Sequence, residues 1–256
     1  MTENYKIQVF ISSDLSEKNI DDFLSVHQAV FKCPELDKQW FKRKYIDNPY
    51  GDSFLSFAYT ENNQIAAVRA FWRNDLGRQK AFQPADTCTM PEHRRHGLFK
   101  ILTKSVLEKI SANDLIYNFP NDNSFPQYIK LGWRLHSQPH VRLYSKKAYF
   151  SENPYPIDDT YLTWWILPTT KKKFNICWRD DHAFLVYPSG AFRRYYIFGE
   201  ISKDKAKDFP ICHPLILTYA SRYYTWYNKN RKFAGRIVVY NVSDSISIPL
   251  WKLDFI

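Results

Sequence analysis

The chain has 256 residues, 45% of them hydrophobic and 24% charged, with a net charge of +10. That is ample apolar material for one large domain or two modest ones, and it excludes a disordered chain. The start MTENYKIQVF is unlike a leader peptide, no apolar run approaches the ~20 residues of a membrane helix, and the four cysteines form no C-x-x-C pair, so a cytoplasmic protein with reduced thiols, no metal site and no membrane segment is expected.

Residues 5–11 read as a strand. Residues 15–31 read as a helix, with Leu24, His27, Gln28 and Phe31 at three- and four-residue steps, and 34–47 as a second helix ending at the turn Asn48-Pro49-Tyr50-Gly51. A hairpin follows, with strands at 53–60 and 64–72 about the turn Glu61-Asn62-Asn63, and then a long extended segment at 82–90 before Pro91. Residues 97–111 carry an apolar stripe of Leu98, Ile101, Leu102, Val106 and Ile110. A short strand at 115–119, a short helix at 124–131 stopped by Gly132, and a strand at 133–144 complete a mixed α/β pattern (α+β class) over residues 1–145. The remainder, 146–256, reads as strands at 174–178, 183–187 and 195–201, a helix at 215–227, and strands at 235–242 and 248–255. Trp40-Phe41-Lys42-Arg43-Lys44-Tyr45 before the first hairpin is echoed by Tyr161-Leu162-Thr163-Trp164-Trp165 before the later one, which suggests that the second part is a degenerate copy of the first.

The positive charge collects in clusters, including Arg94-Arg95, Lys171-Lys172-Lys173 and Arg193-Arg194. A basic balance suits an anionic ligand, and no nucleic-acid motif accompanies it. The stretch Pro91-Glu92-His93-Arg94-Arg95-His96-Gly97-Leu98-Phe99-Lys100 turns on a glycine into an amphipathic helix. Such a helix start points unpartnered N–H groups and a positive dipole end outward, where Arg94, Arg95 and Lys100 add charge for phosphate. A solvated basic helix start is the competing reading.

Arg94-Arg95-His96-Gly97-Leu98-Phe99 resembles the R-x-x-G-x-G/A acyl-CoA loop of the GNAT acyltransferases, with Phe99 where Gly or Ala is usual. Downstream, Asn121, Ser124, Tyr128, Gly132 and Trp133 fall at the steps of a segment that is similar to the family's N-x-x-A-x-x-x-Y-x-x-L-G-F. The resemblance implies a GNAT fold and acyl-CoA as co-substrate. It also implies direct attack of an amine on the thioester, with no acyl-enzyme. Backbone N–H groups near Cys88, Thr89 and Met90 would hold the pantetheine arm and polarise the carbonyl. The turn through Arg94, Arg95, His96, Gly97, Leu98, Phe99 and Lys100 would take the pyrophosphate. Asn121, beside Ser124, would bond the pantetheine amides, and Tyr128 would protonate the departing thiolate. An attacking ammonium must also lose a proton. Asp86, two residues before Cys88 on the long strand, is the first candidate base, and a structural carboxylate is the equal alternative. His136, His140, Glu35 and a water chain are reserves.

The same segments, with Asn48-Pro49-Tyr50-Gly51, also resemble bacterial GNAT enzymes of surface-polysaccharide biosynthesis. That likeness implies an acceptor such as a dTDP-3-amino-3,6-dideoxyhexose and acetyl-CoA or 3-hydroxybutyryl-CoA as donor, in a monomer or homodimer. Residues 146–256, a GNAT-like half without an acyl-CoA motif of its own, would then complete the acceptor site with Trp164, Arg193, Arg194 and Tyr195, although aromatics of this kind also build cores. Two rivals stand beside this: an aminoglycoside or peptide N-acetyltransferase, and a non-catalytic module that keeps the fold.

Overall fold

The computed structural model describes residues 4–32, 36–137, 140–144, 156–170, 174–179, 181–188, 193–214, 216–221, 236–240 and 248. Its strands are β1 (Lys6–Ile11), β2 (Phe54–Tyr59), β3 (Ile65–Arg73), β4 (Ala81–Thr89), β5 (Leu115–Asn118), β6 (Arg134–Ser137), β7 (His140–Tyr144), β8 (Asn175–Arg179), β9 (His182–Pro188), β10 (Arg194–Ile201), β11 (Ile216–Ser221) and β12 (Ile237–Tyr240). Its α-helices are α1 (Glu17–Phe31), α2 (Lys38–Phe41), α3 (Leu98–Leu107), α4 (Phe125–Lys130), α5 (Asp159–Tyr161), α6 (Leu167–Thr170) and α7 (Lys203–Ala206). One unit comprises Met1–Asn118, Asp122–Arg134 and Val238–Asp244, and a second comprises Phe119–Asn121, Leu135–Ile237 and Ser245–Ile256.

A seven-stranded mixed sheet runs in the order β1-β2-β3-β4-β5-β12-β6, and the first unit holds β1 to β5 and most of β12. The first four strands are antiparallel neighbours, β5 lies parallel to β4, and β12 lies antiparallel to β5. This is the expected mixed α/β class. Its helices start and stop on local signals. Ser16 caps α1 reciprocally with Asn19: the Ser16 hydroxyl accepts from the Asn19 N–H at 3.2 Å and the Asn19 carboxamide accepts from the Ser16 N–H at 3.0 Å. The buried face of α1 is Ile20, Phe23, Leu24, Val26 and His27. The stripe holds at Leu98, Leu102 and Val106 of α3 and at Ile110 just beyond it, but Ile101 is 40% exposed. Steps of four define the buried line, and Ile101 falls at its edge. Thr103 is buried in its place, its hydroxyl donating to the Phe99 carbonyl at 2.5 Å.

The second unit carries a five-stranded sheet in the order β7-β11-β10-β9-β8. Two expectations change here. The single strand expected at 133–144 is two strands, β6 and β7, which pair into different sheets. The helix expected from 215 contains strand β11, parallel to β10 and antiparallel to β7. The run Ile216-Leu217-Thr218-Tyr219 carries two β-branched residues and an aromatic, and a short apolar run of that kind does not separate helix from strand by period. The final strand expected at 248–255 lies, apart from residue 248, outside the described residues.

The echo noted in the sequence has a structural counterpart. Asp37 accepts from the Trp40 N–H at 2.8 Å and Asp158 from the Tyr161 N–H at 2.9 Å. Each capped turn widens into a π-helical turn, Lys42–Ile46 and Leu162–Ile166. An antiparallel three-stranded meander follows in each case, β2-β3-β4 and β8-β9-β10, and each ends beside a parallel strand, β5 and β11.

Candidate active site

The site begins where the first sheet opens. β4 and β5 share the register pairs Ala81↔Leu115 and Phe82↔Ile116, yet β4 runs on to Thr89. On its other edge β5 stays paired with β12 as far as Asn118. Beyond Phe82, that edge of β4 is therefore left without a strand partner among the described residues, and its peptide groups are available to an extended polar chain. Opposite the opening, β3 and β4 carry a bulge. Val68 faces Cys88 and Ala70 faces Ala85, so Asp86 and Thr87 together oppose Arg69. Asp86 has φ +47°, a left-handed conformation that a non-glycine residue adopts at a cost. The extra residue sends the Asp86 and Thr87 side chains to different partners.

Past β4 the chain turns through Pro91–His93 and reaches Gly97 at φ +75°. No protein atom lies within 4 Å of where a Gly97 Cβ would stand, so the backbone angle, not crowding within the chain, calls for glycine. The helix α3 starts without a side-chain cap. The N–H groups of Lys100 and Ile101 already bond to the Gly97 carbonyl at 3.0 and 3.1 Å, which leaves those of Gly97, Leu98 and Phe99 directed out of the helix end. Arg94, Arg95, His96 and Lys100 are exposed around it, Leu98 is buried and Phe99 half-buried. This arrangement fits the pyrophosphate of an acyl-CoA.

Tyr128 of α4 is buried between the Trp133 ring, 4.8 Å away, and the Phe99 ring, 5.5 Å away, both edge-on. The α4 end is closed by Gly132 at φ +86°, and the Trp133 N–H returns to the Tyr128 carbonyl at 3.1 Å. Two donors converge on the phenol oxygen: Asn118 Nδ2 at 2.6 Å, from the last residue of β5, and Arg69 Nη2 at 2.7 Å, from β3. Arg69 also donates from Nη1 to Thr87 Oγ1 of β4 at 3.0 Å. Tyr128 is thereby held across the opening between β4 and β5.

Asp86 lies in a second buried cluster. Its carboxylate, 7% exposed, pairs with Lys44 Nζ at 2.9 Å and accepts from the Tyr45 hydroxyl. Lys44 is fully buried, its ammonium 4.8 Å from the Trp72 ring centre and 5.2 Å from that of Trp40. Burial opposes ionisation of Asp86, but Lys44, His27 and the hydrogen bonds from Lys44 and Tyr45 outweigh it and hold its pKa below the usual value. His27, stacked on Phe23 with its Nδ1 3.0 Å from the Phe23 carbonyl, is pushed the other way from ready protonation, chiefly by burial. An expected proton acceptor at Asp86 thus meets a carboxylate already engaged by a cation that has no other exposure. Cys88 is buried, which pushes its thiol pKa up and keeps it a neutral thiol. Thr89 and Met90 are half-buried, and the Met90 N–H returns to the Ala66 carbonyl at 2.9 Å.

Asn121 is exposed and Ser124 half-buried on the approach to α4, whose first turn receives the Ser124 carbonyl. Among the second-unit candidates, Trp164 is half-buried against Trp165 and Tyr161. Arg193, at φ +48°, donates from Nε and Nη2 to the His213 carbonyl at 3.0 and 2.5 Å. Tyr195 packs against the apolar cluster of Cys177, Phe184, Val186, Ile197 and Cys212. The Arg194 side chain, the His140 side chain and Glu35 lie outside the described residues. His136 is half-buried on β6. Sequence reading passed over Arg69, Thr87, Lys44 and Asn118. Arg69 did carry a signal: it is the charge that interrupts the apolar run Ile65-Ala66-Ala67-Val68-Arg69-Ala70-Phe71-Trp72.

Residues 13–136, just under half of the chain, match the family described as acetyltransferase (GNAT) domain. That match, together with this fold, supports an acyl-CoA-dependent N-acyltransferase of the GNAT type. No curated protein matches the sequence. Among solved structures, a GCN5-related N-acetyltransferase from Kribbella flavida is similar at 12% identity over 91% of this chain and 71% of its own, with a TM-score of 0.55. A probable N-acyltransferase from Enterococcus faecalis V583 is similar at 11% identity over 91% and 72%, with a TM-score of 0.52. Escherichia coli ElaA is 16% identical over 57% of this chain and 95% of its own, with a TM-score of 0.43. At such identities the likeness is one of fold, and the first two span both units. No described helix is long and apolar enough to cross a membrane, and among the described residues no group of three or more His, Cys, Asp or Glu is placed to hold a metal.

Proposed function

We propose that the first unit transfers an acyl group from acyl-CoA directly to a primary amine, with Tyr128 as the acid. The carrying observation is the Tyr128 hydroxyl at the opening between β4 and β5, where its oxygen receives two hydrogen bonds and its own proton is left to give. In this reading the N–H groups at the start of α3, with Arg94, Arg95 and Lys100, hold the pyrophosphate. The β4 edge through Cys88, Thr89 and Met90 holds the pantetheine arm and the thioester carbonyl. The amine attacks the carbonyl carbon, the C–S bond breaks, and the Tyr128 proton passes to the sulfur. Asp86 keeps the bulge in place through its pair with Lys44, and the proton shed by the ammonium leaves to water.

The acceptor we propose is the amino group of a nucleotide-linked deoxyamino sugar, with acetyl or 3-hydroxybutyryl as the acyl group. It rests on the polysaccharide-type resemblance and on a net charge of +10, which suits an anionic diphosphate better than a polycationic aminoglycoside. The second unit, on its matching order of capped turn, meander and parallel strand, is proposed as a degenerate copy of the first. Thiol release from acetyl-CoA and 3-hydroxybutyryl-CoA, measured against nucleotide-linked amino sugars, aminoglycosides and peptides, tests the assignment. Release with aminoglycosides or peptides alone would replace the acceptor. CoA binding without release for any amine would leave a binding module.

A further inference from the structure

Arg69 is fully buried, and among the described residues no carboxylate pairs with it. Among the described residues its Nε has no hydrogen-bond partner. Its other two nitrogens go to neutral hydroxyls, Thr87 Oγ1 at 3.0 Å and Tyr128 Oη at 2.7 Å. The guanidinium carbon sits 4.3 Å from the Phe99 ring centre and 5.5 Å from that of Tyr128, so aromatic faces supply its remaining company. A buried charge without a counter-charge is costly, and the fold tolerates it only where something else offsets the cost. Lys44 is equally buried but has Asp86 at 2.9 Å. The contrast is specific: one buried cation carries its anion with it, and the other faces the one group that would become an anion during turnover.

We propose that Arg69 is a positioning residue for the acyl transfer, holding Tyr128 in its donating orientation and stabilising the phenolate that remains when the proton has gone to sulfur. The inference rests on the reading of Tyr128 as the acid. In the step, the new C–N bond forms as the C–S bond breaks, the nitrogen sheds its extra proton to water, the C–S electron pair stays on sulfur, and the phenolic proton joins it. Negative charge then sits on Tyr128 Oη, where Arg69 Nη2 and Asn118 Nδ2 already donate, until solvent returns a proton. These donors are in place before the charge appears, so no reorganisation is required during the step. Arg69 acts through Tyr128 and through Thr87, which ties it to the bulged strand.

A double-mutant cycle tests this, read as thiol release from acetyl-CoA with dTDP-3-amino-3,6-dideoxyglucose as acceptor and, separately, with water as acceptor. Arg69→Met should lower kcat ~100-fold in the wild-type background while the CoA dissociation constant moves less than about twofold. In the Tyr128→Phe background the same substitution should cost less than about threefold, because the group it serves is absent. Arg69→Lys, which keeps the charge and loses the fork, should recover part of the rate and serves as the second cycle if Arg69→Met folds poorly. Equal losses in both backgrounds, with Tyr128→Phe itself slow, would overturn the role of Arg69 alone. Wild-type turnover in Tyr128→Phe would overturn the acid reading beneath it, and the role of Arg69 with it.

Discussion

The two units share a strand plan and part company at one helix. In both, an antiparallel meander ends on a strand with a shifted register, between Val68 and Ala70 across from β4 and between Ile197 and Gly199 on β10. In both, the strand that follows lies parallel to it. The first unit then enters α3, ten residues long, through Gly97 at φ +75° and with no acidic residue in its first turn. The second enters α7, four residues long, with Asp204 in its first turn. A short helix aligns few peptide dipoles, and a carboxylate at its start cancels what they offer an anion. The difference teaches that the sheet is only the frame. In the proposed reading, the anion site depends on the length of one helix, on a glycine at its start and on the sign of the charges there.

The largest effect should come from Asp86→Asn. Neutralising this side chain removes the buried Lys44–Asp86 ion pair, and breaking such a pair typically destabilises by about 3–5 kcal/mol. Urea unfolding measures it. A variant with wild-type stability and lost turnover would instead make Asp86 the base. Tyr128→Phe comes next, with kcat down roughly 100-fold and the CoA dissociation constant nearly unmoved. Stopped-flow or steady-state thiol release beside calorimetry separates the two quantities.

Gly97→Asp sharpens the comparison between the units. It forces a side chain into the left-handed region and sets a negative charge where the pyrophosphate would lie, so CoA should bind on the order of 100-fold more weakly. The corresponding change at the start of α7, Ser202→Asp, should leave CoA binding unchanged. An equal loss from both would mean that the second unit also takes CoA. The smallest effect is on acid stability. The folded-state pKa of His27 is lowered, so the unfolded chain takes up its proton first as pH falls below the ordinary value of 6.5, and stability drops through that window. Asp86 acts in the same direction, but only below its ordinary 3.8. Lys44 and Asp86 are the charges that face His27, and the Phe23 carbonyl is its neutral partner. His27→Gln should flatten the fall of Tm from about pH 6.5 to 5, by at most about 1.4 kcal/mol per pH unit. An unchanged slope would place the acid sensitivity elsewhere.

Much of the first unit was legible from residues alone because its signals are local. The turn at Asn48-Pro49-Tyr50-Gly51, the stripe on α3 and the stop at Gly132 are each decided within one or two helical turns. Local pattern likewise placed a glycine at a basic helix start and a tyrosine in the following short helix. What it could not decide was partnership. The run that became β11 had the composition for either state, and pairing with β10 and β7 chose strand. The stretch at 133–144 divided because its two parts found different sheets, and β12 inserted between β5 and β6 from far along the chain. The site followed the same rule. Nothing near Asp86 in sequence announces Lys44, 42 positions earlier, and nothing near Tyr128 announces Arg69. Their meeting depends on the bulge that turns Asp86 and Thr87 to different partners, a two-against-one register that exists only between strands. Short-range order is written in side-chain periods and caps. The pairing of buried charges is set by which strands the tertiary structure brings together, because only burial makes an unpaired charge costly enough to matter.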